Sequence, residues 1–192
     1  MQFEQSGILD IEVRSSQLPG SQAMIVRGVA ATFNQPTVLY EIDGIQYKEQ
    51  IAPGAFDTAD MSNVIFNYDH SGPVMARTRN STLRVWVESD GLHIRARLDG
   101  TAEGRSLHEA IKGGYIDRMS YAYSVQEESY DAKARTRTIL KIKKVYDVSA
   151  VGMPAYESTS IGAYDETQER ARLLSQINGD DQRKRLALLT KL

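Results

Sequence analysis

Residues 83–98 read Leu-Arg-Val-Trp-Val-Glu-Ser-Asp-Gly-Leu-His-Ile-Arg-Ala-Arg-Leu. In the second half of this stretch, apolar and polar side chains alternate, which is the period of a half-buried strand. The apolar positions of that half are Leu92, Ile94, Ala96 and Leu98. Asp90-Gly91 separates the two halves, and both residue types tolerate the positive φ angles that tight hairpin turns require. The stretch therefore predicts two antiparallel strands, residues 82–88 and 92–98, joined by a tight turn.

Similar patterns recur along most of the chain. A second Asp-Gly pair, Asp43-Gly44, separates apolar-rich segments at 38–42 and 45–50 and predicts a second hairpin. Further segments with strand patterns are 8–14, 23–33, 63–67, 74–78, 118–129, 135–144 and 145–152. The glycine and proline in Ser71-Gly72-Pro73 predict a turn between two of these strands.

One internal segment has the pattern of a helix instead. It covers residues 102–112, with Thr101 as the predicted N-cap and Gly113-Gly114 as the stop signal. Many short strands, two Asp-Gly hairpins and a single central helix predict a mainly β fold with some α structure. The two architectures that fit this order are an antiparallel β-barrel and a strongly bent sheet.

The overall composition limits the classes of function. Of 192 residues, 41% are hydrophobic and 25% charged, which is typical of a globular protein. The chain has no cysteine, so disulfides, thiolate metal sites and cysteine nucleophiles are excluded. The formal net charge of -2 disfavours a protein that binds nucleic acid through its phosphates. Because the sequence has neither a bilayer-spanning apolar run nor a signal-peptide pattern, we expect a soluble intracellular protein without a membrane partner.

The end of the chain differs in composition from the rest. Residues 1–164 carry the strand and helix patterns, whereas residues 165–192 are rich in Glu, Gln, Arg, Leu and Lys with leucines at helical spacing. We therefore expect one β-rich domain, 1–164, followed by a charged tail of two short amphipathic helices, 165–192. Such a tail is either a solvated appendage or a segment that binds a partner or is removed.

Asp147 stands out because it interrupts an apolar strand, Val-Tyr-Asp-Val-Ser-Ala-Val at 145–151. A carboxylate in such a strand is costly unless a cation or an N–H donor pairs with it. A histidine held in one tautomer would meet that need, and Lys144 or Arg118 would meet it as a structural ion pair. The sequence alone leaves these alternatives open.

The three histidines lie in different settings. His93 and His108 fall on the polar faces of a strand and of the helix, so we expect both to be solvated. His70 directly follows the apolar strand 63–67 and Asp69, at a strand end where catalytic groups often lie. The histidines have no spacing typical of metal ligands, so no metal or other cofactor is expected.

Ser120 lies in a strand whose two faces differ. One face carries Met119 and Tyr121, which are typical core residues, whereas the other carries small side chains beside Ser120. A small-residue face leaves room for a substrate backbone next to the hydroxyl, although an ordinary small strand residue also fits. Gly113-Gly114 lies just upstream and is interpreted either as backbone donors near a reacting carbonyl or as a plain helix cap.

Together, several segments resemble the prohead maturation proteases of tailed bacteriophages, whose fold is related to the herpesvirus assembly proteases. The resemblance extends from about Val26 to Ile161. The segments that carry it are residues 28–34, 49–56, the strand ending in His70, residues 114–120, residues 147–151 and Pro154-Ala155. The family commonly has Glu at the position of Asp147, and often Gly-Arg where this chain has Ala76-Arg77. The shorter aspartate keeps the charge but has to approach the imidazole more closely.

The resemblance implies an antiparallel β-barrel of herpesvirus-protease type with a few flanking helices. It also implies a Ser/His/acid triad, with His70 as general base, Ser120 as nucleophile and Asp147 as the acid that orients the imidazole. The implied enzyme is a serine endopeptidase inside the phage procapsid, in the host cytoplasm. It would cleave the scaffold protein or a scaffold segment of the major capsid protein, and itself.

Two other functions are compatible with the predicted fold. A non-catalytic capsid assembly or scaffold component could have the same fold, with Ser120 and Asp147 as packing residues. An OB-like barrel that binds nucleic acid is disfavoured by the acidic charge balance and the lack of a basic aromatic face. By resemblance to the herpesvirus proteases we expect a homodimer, and the function that the resemblance implies would make the 165–192 tail an assembly or packaging segment.

Overall fold

The computed structural model describes residues 23–154, 158–165 and 168. The strand predicted at 8–14 and nearly all of the predicted tail lie outside these residues. The described part of the chain contains ten β-strands and one α-helix. The strands are β1 (Ile25–Thr32), β2 (Thr37–Ile42), β3 (Ile45–Ile51), β4 (Ile65–Tyr68), β5 (Ser71–Arg77), β6 (Leu83–Val87), β7 (Gly91–Arg97), β8 (Arg118–Asp131), β9 (Thr136–Val151) and β10 (Ser160–Tyr164), and the helix is α1 (Ala102–Lys112). No helix in these ranges is long and apolar enough to cross a membrane.

The strands form two sheets. The first has four strands in the order β10-β1-β7-β6, all antiparallel. The second is organised around the long strand β9. Strand β8 pairs antiparallel with β9 from Asp131↔Thr136 to Arg118↔Val151, so it covers one edge of β9 along its whole length. Strands β3 and β4 share the other edge of β9 and both run parallel to it.

The prediction of a mainly β fold with one internal helix is confirmed. The two sheets are not closed into a barrel, so the predicted β-barrel is not confirmed. The expectation of purely antiparallel pairing is wrong, because β9 has two parallel neighbours. Parallel neighbours need long crossover connections, and the chain between β4 and β9 supplies one that contains α1 and several strands.

Both Asp-Gly hairpins are confirmed, and three details of the strand prediction are corrected. Segments 135–144 and 145–152 form the single strand β9, which register shifts interrupt without ending it. The turn predicted at residues 71–73 is wrong, because those residues begin β5 and the chain reverses at Asp69-His70. Pro73 is tolerated in β5 because β5 is an edge strand. Strand β10 was not predicted from its weakly apolar sequence.

One hydrophobic core contains buried side chains from both sheets and from α1. Phe66 of β4 and Met119 of β8 are fully buried in it, and burial of a side chain of this size stabilises the fold by ~1.5–3 kcal/mol. The helix begins at the predicted N-cap, where Thr101 Oγ1 accepts a hydrogen bond of 2.9 Å from the Gly104 N–H. Leu107 and Ile111 form its buried face, which closes one end of the core.

Gly28 of β1 lies against β10 of its own sheet and against the Met119 side chain of the other sheet. A Cβ atom at this position would lie 2.4 Å from the Ser160 carbonyl oxygen and 2.5 Å from the Met119 sulfur. The backbones of β1 and β10 and the side chain of β8 therefore leave space only for glycine. The position matters for the polar face of β8, because Ser120 follows Met119 directly.

We expect Gly28→Ala to lower the free energy of unfolding by about 1–3 kcal/mol, because the added methyl group overpacks the contact between the sheets. Urea unfolding followed by tryptophan fluorescence measures this change. Gly162→Ala is the matched control, since nothing lies within 4 Å of a Cβ placed at Gly162 in the neighbouring strand. Equal midpoints for the two variants would contradict the proposed steric role of Gly28.

A second prediction concerns pH and the turn that precedes β4. Hydrogen bonds from the side chain and backbone of Ser62, together with Lys144, lower the pKa of Asp60 from 3.8 to about 2. Because the folded-state pKa is depressed, the stabilisation is present above pH 3.8 and is lost as the pH falls through about 2. We expect Asp60→Asn to be less stable than wild type at pH 7, and we expect the difference to shrink as the pH falls from 3.8 to about 2. Urea midpoints at both ends of this range test this, and a difference that stays constant would contradict it.

Candidate active site

Four polar side chains lie in register across three adjacent strands. Ser149 of β9 lies directly opposite Asn67 of β4 on one side and Ser120 of β8 on the other. Asp147 is two residues before Ser149, so it faces the same side of the sheet. Residues directly opposite each other in neighbouring strands also share a face. The register therefore brings all four side chains to one face, while the opposite face packs into the core.

His70 enters this group from the hairpin turn between β4 and β5. Tyr68 pairs with Ser71 across the turn, and its two central residues, Asp69 and His70, have φ values of 46° and 55°. Positive φ at both positions is the pattern of a type I′ hairpin turn, which fits the twist of the flanking strands. It is also a strained conformation for residues other than glycine. The Gly152 N–H donates a hydrogen bond of 3.0 Å to Asp69 Oδ1 and ties the turn to the end of β9.

The imidazole of His70 contacts the carboxylate of Asp147. The distance from His70 Nδ1 to Asp147 Oδ1 is 2.7 Å, which is a short hydrogen bond. The His70 side chain is 37% exposed, whereas that of Asp147 is only 13% exposed. The shorter aspartate thus reaches the imidazole without difficulty. With Nδ1 held by the carboxylate, Nε2 is the ring nitrogen that remains to exchange a proton.

The two cations that the sequence offered as structural partners for Asp147 are engaged elsewhere. Lys144 Nζ lies 3.1 Å from Asp60 Oδ2. Arg118 Nη1 donates a hydrogen bond of 3.1 Å to the Thr159 carbonyl oxygen. The observed partners of Asp147 are therefore uncharged or titratable groups rather than a permanent cation.

Ser120 occupies the face of β8 that the sequence predicted for it. It is partly exposed, whereas Met119 and Tyr121 on the opposite face are buried. Ser120 lies opposite Ser149, whose hydroxyl oxygen is 3.3 Å from His70 Nδ1, so Ser120 is one strand away from the His70–Asp147 pair. Among the residues that the structure describes, no hydrogen bond joins the Ser120 hydroxyl to His70 or Asp147.

Two buried polar residues of this face were missed in the sequence. Ser149 is fully buried and Asn67 is 4% exposed. Ser149 Oγ lies 2.9 Å from Asp147 Oδ1 and also contacts Asn67 Oδ1. The signal was present, because each residue interrupts an apolar strand as Asp147 does. It was weak, because small uncharged polar side chains are common in strands.

The expectation that His93 and His108 are solvated is wrong. Their side chains are only 17% and 11% exposed. His93 Nε2 lies 2.7 Å from Asp90 Oδ1, and this hydrogen bond lowers the pKa of Asp90. Its ring also packs on Trp86, with the ring centroids 5.8 Å apart. Glu88 Oε2 lies 3.9 Å from the same His93 nitrogen.

Gly113 and Gly114 serve as the cap of α1. The Gly113 N–H donates to the Glu109 carbonyl oxygen at 2.9 Å, and the Gly114 N–H donates to that of Ile111 at 3.0 Å. Gly114 has a φ of 75°, which glycine adopts without strain. Because both N–H groups are engaged within the helix end, they are not available to stabilise an oxyanion.

The carboxylate-bound imidazole has the geometry that general-base catalysis requires. A carboxylate on Nδ1 fixes the tautomer and leaves Nε2 as the proton acceptor. A partly exposed hydroxyl on the neighbouring strand can become a nucleophile only when such a base takes its proton. The arrangement is therefore suited to acyl transfer from a peptide carbonyl to a serine.

A protein family and a solved structure are similar to this chain. No curated protein matches the chain in sequence. Among solved structures, the KSHV protease in complex with a hexapeptide phosphonate inhibitor is similar at a TM-score of 0.45 and 11% sequence identity, covering 82% of this chain and 77% of that one. The model of the family described as caudovirus prohead serine protease matches residues 9–172. This chain therefore belongs to the caudovirus prohead serine proteases and is a serine protease of bacteriophage capsid maturation.

Proposed function

We propose that His70, Ser120 and Asp147 are the catalytic triad of this protease. The observation that carries the proposal is the 2.7 Å hydrogen bond between His70 Nδ1 and Asp147 Oδ1. The register supports Ser120 as the third member, because it lies opposite Ser149 on the same face of the sheet. Directly opposite residues of antiparallel strands have Cα atoms about 4.5–5.5 Å apart, a distance that a side chain spans.

Each member of the triad has a defined role. His70 Nε2 removes the Ser120 proton as Oγ attacks the scissile carbonyl carbon, and the resulting imidazolium is stabilised by Asp147. Collapse of the tetrahedral intermediate breaks the C–N bond, and the imidazolium gives its proton to the leaving amine. A water molecule, deprotonated by His70, then hydrolyses the acyl-enzyme and regenerates the Ser120 hydroxyl.

The substrates follow from the family and from the place of action. The prohead protease family implies capsid and scaffold proteins as substrates within the procapsid. We assign to this chain the cleavage of the scaffold protein, or of a scaffold segment of the major capsid protein, and of its own polypeptide. The homodimer implied by the herpesvirus resemblance and the assembly role of the 165–192 tail stay predictions. Membership of a protease family disfavours the non-catalytic assembly component.

We expect Ser120→Ala to abolish both activity and covalent labelling, because the nucleophilic oxygen is removed. A fluorophosphonate probe, which phosphonylates activated serine hydroxyls with loss of fluoride, measures labelling by intact-protein mass. Co-expression with the capsid and scaffold proteins of the same phage measures processing on gels.

Ser124→Ala is the matched control for Ser120→Ala. It removes a side-chain hydroxyl from a partly exposed residue of the same strand, where the Tyr146 hydroxyl donates a hydrogen bond of 3.4 Å to Ser124 Oγ. The control is expected to retain labelling and processing. Unchanged labelling or processing in the Ser120→Ala protein would exclude Ser120 as the nucleophile. It would favour the alternative function, a non-catalytic capsid assembly component.

We expect Asp147→Asn to lower the rate of fluorophosphonate labelling by about 10²–10⁴-fold, because an amide neither fixes the His70 tautomer nor stabilises the imidazolium. Asp117→Asn removes an exposed carboxylate close to β8 and is the matched control. Equal rates for both variants would exclude Asp147 from the triad.

A further inference from the structure

The Ser149 hydroxyl has one proton and three polar neighbours, two of which are side-chain oxygens. Its hydroxyl oxygen lies 2.9 Å from Asp147 Oδ1, 3.3 Å from His70 Nδ1 and in contact with the side-chain oxygen of Asn67. The residue is fully buried, so water does not supply the missing hydrogen bonds. A serine hydroxyl donates one hydrogen bond and accepts up to two. At least one neighbour therefore has to act as a donor to Ser149.

His70 does not supply that donor as its main contact. Its Nδ1 proton points to the nearer Asp147 Oδ1, at 2.7 Å against 3.3 Å for Ser149 Oγ. When it is ionised, the Asp147 carboxylate accepts hydrogen bonds and donates none. Asn67 is the remaining candidate, because its amide carries an NH₂ group as well as an oxygen. The two ends of an amide have nearly the same shape, so the hydrogen-bond network decides which end faces Ser149.

We propose that Asn67 and Ser149 are positioning residues of the triad, with the Asn67 amide N–H donating to Ser149 Oγ and the Ser149 proton donated to Asp147 Oδ1. This proposal rests on the proposed function of His70, Ser120 and Asp147. In this arrangement the Ser149 hydroxyl accepts one hydrogen bond and donates one. The opposite amide orientation leaves two acceptors competing for one proton and deprives the carboxylate of a donor.

The arrangement has a consequence for catalysis. Asp147 Oδ1 receives hydrogen bonds from both His70 and Ser149, which fixes the carboxylate in the plane that the imidazole needs. Asn67 polarises the Ser149 hydroxyl and thus strengthens the hydrogen bond to the carboxylate. The parallel register between β4 and β9 sets Asn67 opposite Ser149, so the backbone pairing itself aligns this chain of donors.

The test uses the full-length protein and the rate of fluorophosphonate labelling as a function of pH and probe concentration. We expect Ser149→Ala to lower the maximal labelling rate by about 10- to 100-fold, the value of a hydrogen bond to a charged group, with little change in the half-saturating probe concentration. Thr136→Val is the matched control, because it removes a buried hydroxyl at the other end of the same strand. It is expected to retain the wild-type rate.

Asn67→Asp distinguishes the two amide orientations. It keeps the shape of the side chain but presents only acceptors, so it draws the Ser149 proton away from Asp147. On the pH plateau we expect a loss of labelling rate in the wild-type background that shrinks to less than about threefold in the Ser149→Ala background, because the effect passes through the hydroxyl. An equal loss in both backgrounds would show that the introduced carboxylate acts by its charge and not through the Ser149 hydroxyl, and it would overturn the donor orientation.

Two further outcomes separate the inference from the function on which it rests. Labelling that persists in Ser120→Ala would defeat the proposed triad itself. If Ser120→Ala is inactive while Ser149→Ala labels at the wild-type rate, the triad stands and the positioning role is wrong. Near-ultraviolet circular dichroism of each variant confirms that the compared proteins are folded.

Discussion

The pairing of β9 with strands on both of its edges is the constraint on which the site depends. The antiparallel neighbour β8 brings Ser120 opposite Ser149, and the parallel neighbour β4 brings Asn67 to the same position from the other side. A shift of either register by one residue would turn the polar side chains of that strand to the core face. The buried apolar face of the same three strands prevents such a shift, so core packing and site geometry are set by one register.

This register carries an energetic cost that hydrogen bonds offset. Asp147, Ser149 and Asn67 are buried, and a buried polar group without a partner destabilises a fold by about 1–3 kcal/mol. Here each of the three contacts another member of the group. The strained turn at Asp69-His70 is held in the same way, by the hydrogen bond from Gly152 to Asp69. The contact with the end of β9 thus stabilises the positive φ angles of the turn, and the turn positions the His70 imidazole.

The sequence predicted the candidate residues better than their surroundings. The position of Asp147 predicts a partner, because a charge inside an apolar strand is costly without one. Its hydrogen bond to His70 is one of the alternatives that the sequence left open. Ser149 and Asn67 were overlooked because their side chains are small and uncharged, so the strand pattern alone does not reveal their burial. The turn before β5 was misplaced because Gly72 and Pro73 are stronger turn signals than Asp69-His70. The contact of Asp69 with Gly152 outweighs that local preference, and no local pattern contains it.

By itself, the sequence determined the local structure of this protein: the two Asp-Gly hairpins, the strand alternation, and the helix from Thr101 to Gly113. These features depend on φ preferences, side-chain period and capping, which involve residues close together in the chain. The family of the chain was also visible in its motifs. Only the tertiary structure decided the parallel pairings of β9, the addition of β10 to the edge of β1, and the arrangement of the strands as two sheets. Those choices join residues far apart in the chain, and the packing of the shared core selects among them because local patterns are compatible with several.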